Sequence, residues 1–180
     1  SFIFLTKSEL SAYFKSVIAT LFFYSNFYFW KNSPYFKSES DLEPLLHTWS
    51  LSIEEQFYLL FPIILIFLFK YLKKYIVFLL SLGLILSFLL CLSLAVKTSG
   101  NLNFYFTLSR AWELALGSIA AYYLFYNKFI LSKSFKNTFS LLGFFLILLP
   151  VFLFDKQTSY PSYFTLIPTI GTLFIIIFAD

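Results

Sequence analysis

The sequence predicts an all-α, polytopic bundle of transmembrane helices, about five of them spanning and one re-entrant or interfacial. Three observations carry that reading. Hydrophobic residues make up 59% of the chain and charged residues 12%, about half the charge of soluble domains. Several stretches run past about 18 residues without a charge, more apolar surface than a water-soluble domain of this size can cover. The 13 Lys and Arg against 9 Asp and Glu are gathered between the apolar stretches. There they act as topology signals, not as a nucleic-acid-binding surface. No methionine occurs and Ser1 opens the sequence, so an internal piece of a longer protein is expected. The single cysteine, Cys91, sits in an apolar segment and reads as a small core residue.

In chain order, residues 1–11 are mixed, with Ser8 or Ser11 available to cap a first helix. Ala12–Trp30 is apolar and aromatic but interrupted by Lys15, Ser25 and Asn26. Residues 31–44 form a polar loop carrying Glu39, Asp41 and Glu43. Trp49–Phe69 is expected as one helix of about 21 residues, roughly 31 Å long and sufficient to cross a bilayer core. Tyr75–Val96 has no ionisable side chain besides its tyrosine and the Cys91 thiol and is the cleanest span. Phe104–Tyr126 is expected as a helix that holds Arg110 and Glu113. Phe139–Phe154 and Phe164–Ala179 complete the set, joined by the polar turn 155–163, with Pro168 and Gly171 near the start of the last. No internal repeat or heptad pattern is present.

Two connectors contain lysines and no acid: Lys70, Lys73 and Lys74 in the first, Lys128, Lys133 and Lys136 in the second. The positive-inside rule puts both in the cytoplasm. The acidic loop and the turns at 97–103 and 155–163 then face outward.

The densest chemistry lies in Leu45–Pro62, LLHTWSLSIEEQFYLLFP. His47, Ser50, Glu54 and Tyr58 recur at three- or four-residue spacing and share one helix face, with Glu55 beside them. Carboxylates at that depth cost roughly 2.5–3.5 kcal/mol each on insertion scales, so they need a partner, a proton or a task. Arg110, six residues into its helix, and Glu54 and Glu55, five and six residues in from Trp49, come level at about 8–9 Å, which predicts that they pair. Glu113, one turn from Arg110, can share the guanidinium. A structural clamp between helices and a functional polar cluster both fit. His47 reads equally as an interface residue, and Ser50 or Ser52 as the N-cap of the motif helix. Trp30, Trp49 and Trp112 read as interface-belt aromatics. No phosphate loop, paired cysteine or metal-ligand spacing is present.

PLLHTWSLSIEEQFYLLFP, followed by SRAWELALGSIAAY at 109–122 and FDKQTSYPSYFTLIPTIGTLFIIIFA at 154–179, resembles the acyltransferase-3 family of bacterial membrane O-acyltransferases. SNFYFW at 25–30 fits the same pattern, and together these pieces cover nearly the whole chain. The resemblance implies a ten-helix domain of the bacterial inner (plasma) membrane that moves acyl groups, usually acetyl from cytoplasmic acetyl-CoA, to hydroxyls of surface carbohydrate. Lipopolysaccharide O-antigen, peptidoglycan and exopolysaccharide are acceptors of that kind. It also implies a possible extracytoplasmic SGNH-hydrolase-like domain C-terminal to the membrane domain.

On this reading, residues 1–180 are the central part of one membrane acyltransferase domain, with helices missing on both sides. The family's Arg- and His-bearing first helix and its arginine-rich cytoplasmic segment are not in these residues. The catalytic residue is therefore left unassigned, and His47 is not promoted to it. His47, Ser50, Ser52, Glu54, Glu55, Arg110 and Glu113 are the candidate supporting or substrate-site residues. No metal and no permanently bound cofactor is expected; acyl-CoA enters as donor substrate. The family's topology further implies that Ala12–Trp30 returns to the outer side as a re-entrant or interfacial helix. Two other classes explain part of the pattern: a carbohydrate flippase or transporter that uses the buried charges as a substrate path, and a purely structural membrane subunit.

Overall fold

The computed structural model describes residues 7–32, 43–97, 101–126, 132–155, 158 and 160–179. Among them every regular element is helical. Glu39 and Asp41 of the acidic loop, and Lys128 of the second connector, lie outside the described residues. Among the described residues three helices are long and apolar enough to cross a membrane: Thr48–Tyr71, Lys73–Val96 and Lys133–Leu153. Their large apolar side chains are mostly exposed, as in Leu59 at 63% and Ile66 at 68%. In a lipid solvent that is the favourable arrangement, because hydrocarbon outside is as apolar as the side chain. The chain divides into two compact units, residues 1–73 with 101–107, and residues 74–100 with 108–180.

The first unit contains α1 (Lys7–Leu21), α2 (Ser25–Asn32), α3 (Thr48–Tyr71) and the short α5 (Asn101–Tyr105). The segment expected as continuous from Ala12 to Trp30 is thus two helices. Phe23 breaks it at φ 54°, while Phe23 N donates to Thr20 O and Tyr24 N to Ala19 O. That bond pair is a Schellman termination with phenylalanine at the left-handed position where glycine is usual, and no glycine marks it in the sequence. Neither piece, at about 22 and 12 Å, matches a hydrocarbon core of about 30 Å.

α1 starts at Lys7, which places Ser11 inside the helix instead of at its cap. In α3 the N-cap position is His47, with helical backbone and no side-chain cap bond. The expected capping role of Ser50 or Ser52 is therefore corrected. Both lie within the helix, where Ser50 Oγ donates to His47 O and Ser52 is buried against α2. The apolar core of this unit joins Phe29, Trp49, Ile53, Phe104 and Tyr105. Trp49 packs tilted against Phe104 at 4.2 Å and meets Tyr105 edge-on at 5.5 Å. Trp49 is a core residue here, not an interface-belt one.

The second unit contains α4 (Ile76–Lys97), α6 (Thr107–Tyr126, from Leu108 onward), α7 (Lys133–Leu153) and α8 (Leu166–Phe178). Phe104–Tyr126 was expected as one helix; α5 and α6 are separated at Phe106. The carbonyl of Tyr105 accepts from the Asn26 side chain, an insertion into the helical ladder that ends it without Gly or Pro. α7 begins six residues earlier than its apolar run suggests, because Ser132 Oγ accepts from Phe135 N and caps it. Lys133 and Lys136 thus belong to its first turn and not to a connector.

α7 and α8 pack backbone to backbone. A Cβ placed on Gly143 would come within 2.6 Å of Gly171 O, and one on Gly171 within 2.7 Å of Gly143 O. Small residues at such a crossing let helices approach closely enough for van der Waals attraction to hold them without a hydrophobic driving force. Ser87 of α4 donates to Leu108 O and accepts from Trp112 N, which ties α4 to the first turns of α6. Phe88 packs edge-on against Trp112, itself 1% exposed; Trp112, too, is core.

Candidate functional site

In the first unit Thr48, Ser52 and Gln56 of the motif helix bond inward to the rest of the unit. Ser52 Oγ lies 2.7 Å from Ser25 Oγ, Ser25 Oγ donates to Thr48 O, and Thr48 Oγ1 lies 3.0 Å from Thr20 Oγ1. Beside this ladder a closed ring forms. Asn26 Nδ2 donates to Tyr105 O and Thr107 Oγ1, Thr107 Oγ1 donates to Gln56 Oε1, and Gln56 Nε2 donates to Asn26 Oδ1 at 3.0 Å and to Phe23 O at 2.7 Å. Every polar atom of the two amides is thereby satisfied, which a buried amide in a membrane requires. Both exposed backbone breaks, at Phe23 and at Tyr105, are closed by this one ring. Its role is to hold α2, α3 and α5 together.

Gln56 lies within the Leu45–Pro62 motif and Asn26 within the interrupted Ala12–Trp30 segment, and no sequence spacing connects the two. Thr107 carried no signal. His47 is exposed, and Ser50, Glu54 and Glu55 are half-buried along α3.

In the second unit Arg110 and Glu113, expected to share a face of one helix, do so. Arg110 Nη2 donates to Glu113 Oε2 at 2.8 Å, with side chains 14% and 21% exposed. The same nitrogen donates to Tyr160 Oη at 3.1 Å, and the guanidinium carbon lies 5.5 Å from the Tyr160 ring centre. Tyr160 was not singled out in the sequence; fifty positions separate it from Arg110, and no periodicity spans such a gap. Burial pushes its phenol above the ordinary value, with Arg110 pulling it down and Glu113 pushing it up, so the hydroxyl stays protonated at neutral pH. Arg110 was expected about 9 Å into its helix. Because α6 starts at Thr107, it lies three residues in, a rise of about 4.5 Å. Glu54 and Glu55 belong to the first unit.

Glu113 Oε1 is buried and has no hydrogen-bond partner among the described residues. Glu113 and Tyr160 also line a cavity of about 310 Å³ whose walls include Gly117, Thr165, Thr169 and Thr172. This is at the small end of ligand pockets, which run to roughly 300–1,000 Å³. The arrangement holds one carboxylate oxygen against a fixed guanidinium, with Glu113 part of the cavity wall. Among the described residues no group of three His, Cys, Asp or Glu is placed to hold a metal.

A family model described as an acyltransferase domain matches residues 3–180. An uncharacterized protein of Haemophilus influenzae is 33% identical over 171 residues, covering 90% of this chain and 69% of that protein. The O-acetyltransferase OatA of Staphylococcus aureus is 34% identical over 195 residues, covering 99% of this chain; the chain spans 31% of OatA. No solved structure matches. With the family model matched from residue 3 to residue 180, the chain belongs to the acyltransferase-3 family of membrane O-acyltransferases.

Proposed function

We propose that the full-length protein is an O-acetyltransferase of the bacterial inner membrane that takes acetyl from cytoplasmic acetyl-CoA and places it on hydroxyls of a cell-surface carbohydrate such as lipopolysaccharide O-antigen. The observation that carries this reading is the family match across residues 3–180, joined to the likeness with an O-acetyltransferase. In the transfer the thioester C–S bond breaks, an ester C–O bond forms, the hydroxyl proton goes to a base and coenzyme A leaves as its thiol. The base belongs to a histidine outside these residues, as the family likeness implies.

Glu113 is suited to orienting the acceptor. Its carboxylate is fixed by Arg110 and the residue forms part of the cavity wall. A hydrogen bond to a charged group contributes about 1.5–3 kcal/mol, so its loss corresponds to roughly 10- to 100-fold in rate. Full-length protein in proteoliposomes, given radiolabelled acetyl-CoA and surface polysaccharide, should transfer label. Glu113→Gln should lower kcat/KM by about that factor with folded yield retained. Absence of transfer to any carbohydrate from well-folded wild-type protein would overturn the reading.

A further inference from the structure

The two sides of α8 are packed in opposite ways. Toward α7 the fit is tight. A Cβ on Gly171 would meet Leu146 Cβ at 2.9 Å as well as Gly143 O, and one on Gly143 would meet Phe174 Cβ at 3.0 Å. Phe139 stands 5.5 Å from Phe174 and 5.3 Å from Phe178, and Phe135 5.9 Å from Phe178, ring centre to ring centre. Contact with α7 thus continues from Gly171 to the end of α8. Phe145, Val151 and Phe152 on the rest of α7 are exposed.

Toward α6 the same helix faces empty space. The cavity of about 310 Å³ beside Glu113 runs along α8 from Thr165 to Ile176. A second, of about 210 Å³, continues with Leu173 and Ile177 facing Leu116, Ala120 and Leu124. In lipid no hydrophobic force presses helices together, and van der Waals contact has to hold them. Side chains that face a void forfeit that contact. The α6–α8 seam is therefore weakly held and the α7–α8 crossing strongly held. One end of the seam is fastened. Tyr160, in the turn that joins α7 to α8, accepts from Arg110 Nη2 at 3.1 Å, with the guanidinium over its ring. Arg110 is itself held by Glu113, and Pro161, Ser162 and Thr165 next along the chain are buried.

We propose that α7 and α8 are one rigid hairpin that swings about the Tyr160 corner and so widens or narrows the seam along α6. A rigid body, a compliant seam and a fixed corner are the parts a hinge requires. Motion is least at Glu113 and Tyr160 and greatest at Ala120 and Ile177. The hairpin gates the cavities from their apolar end while the Arg110–Glu113 pair stays in place. The motion is independent of the reaction proposed above.

The test uses full-length protein in phosphatidylethanolamine–phosphatidylglycerol vesicles, with Cys91 and any cysteine outside residues 1–180 replaced by serine. Cysteine pairs are treated with bifunctional methanethiosulfonates of short, medium and long spacer, and intact mass separates bridged protein from protein that has reacted twice. Gly117→Cys with Thr169→Cys samples the seam near the corner; nothing lies within 4 Å of a Cβ at Gly117. Ala120→Cys with Ile177→Cys samples the far end, and Leu84→Cys with Ile177→Cys is a second far-end pair should the first misfold. Phe139→Cys with Phe174→Cys samples α7 against α8.

The far-end pair should be bridged by all three spacers with yields within about twofold of one another. The corner pair and the α7–α8 pair should each favour one spacer over the longest by at least fivefold. A far-end pair as selective as the α7–α8 pair overturns the hinge, whether the seam is rigid or another part of the full-length chain fills it. Equal tolerance at corner and far end overturns it too, because that is a seam loose throughout and not a rotation about Tyr160. An α7–α8 pair that takes every spacer removes the rigid hairpin.

Discussion

Arg110→Lys keeps the charge beside Glu113 and changes what that charge can reach. One guanidinium nitrogen serves both Glu113 Oε2 and Tyr160 Oη while the planar group lies over the Tyr160 ring; an ammonium on a flexible stem does not reproduce that geometry. The pair is only partly exposed, so its loss lies between a surface and a buried bridge, at about 1–3 kcal/mol. Arg110→Ala and Glu113→Ala should each lower the folded yield and the melting temperature in detergent. The double variant should be little worse than the more damaged single, and strictly additive losses would show that the two act separately. Tyr160 adds a pH signature. A phenol raised in the fold contributes stability that is complete below its unfolded value near 10 and is lost as pH rises through the folded value. Melting of wild type should therefore be flat across neutral pH and fall above about 10, a fall that Tyr160→Phe should blunt.

At the scale of elements, Gly143 and Gly171 set the distance between α7 and α8. Gly143→Ala puts a methyl within 2.6 Å of a carbonyl oxygen on the opposing helix, backbone that cannot rotate away, and should cost about 1–3 kcal/mol as overpacking does. Gly83→Ala, with nothing within 4 Å of its added methyl, is the matched control and should be neutral or mildly stabilising in folded yield. What could be read from the sequence follows from the same contrast. α3 and α4 were legible because an unbroken apolar run is a local property. The ends of α1 and α5 were not, since Phe23 and Phe106 occupy breaks that composition marks with Gly or Pro. Arg110–Glu113 was legible as a helical i,i+3 spacing. Tyr160, Asn26 and Thr107 acquire their partners only through tertiary contact, and the start of α7 was hidden because its capping serine lies among lysines.

For the whole molecule, the lysine-only segments predict sidedness. In full-length protein, cysteines at Lys73 and Lys136 should be shielded from an impermeant thiol reagent in intact cells, while cysteines at Glu43 and Thr158 should react. The reverse pattern would place the 155–163 turn, and Tyr160 with it, in the cytoplasm. Cysteines at Glu9 and Asn32, flanking the broken α1–α2 pair, should both report from the outer side; opposite sides would show that the pair crosses. Residues 1–180 alone, purified and given acetyl-CoA with surface polysaccharide, should transfer nothing above background, since the family likeness puts the histidine-bearing helix elsewhere. Robust turnover would return His47 to consideration as the base.

The Asn26–Gln56–Thr107 ring also imposes an order in time. Asn26 emerges from the ribosome 81 residues before Thr107, an interval of about 4–16 s at synthesis rates of roughly 5–20 residues per second. Through that interval the amide of α2 and the carbonyl at Phe23 have at most Gln56 to bond. Lipid offers them nothing, so α2 must wait in water or against the insertion machinery until α5 is delivered. Nascent chains truncated before residue 107 should leave α2 open to protease and aqueous thiol reagents, and chains extended a few tens of residues past it should protect α2 abruptly.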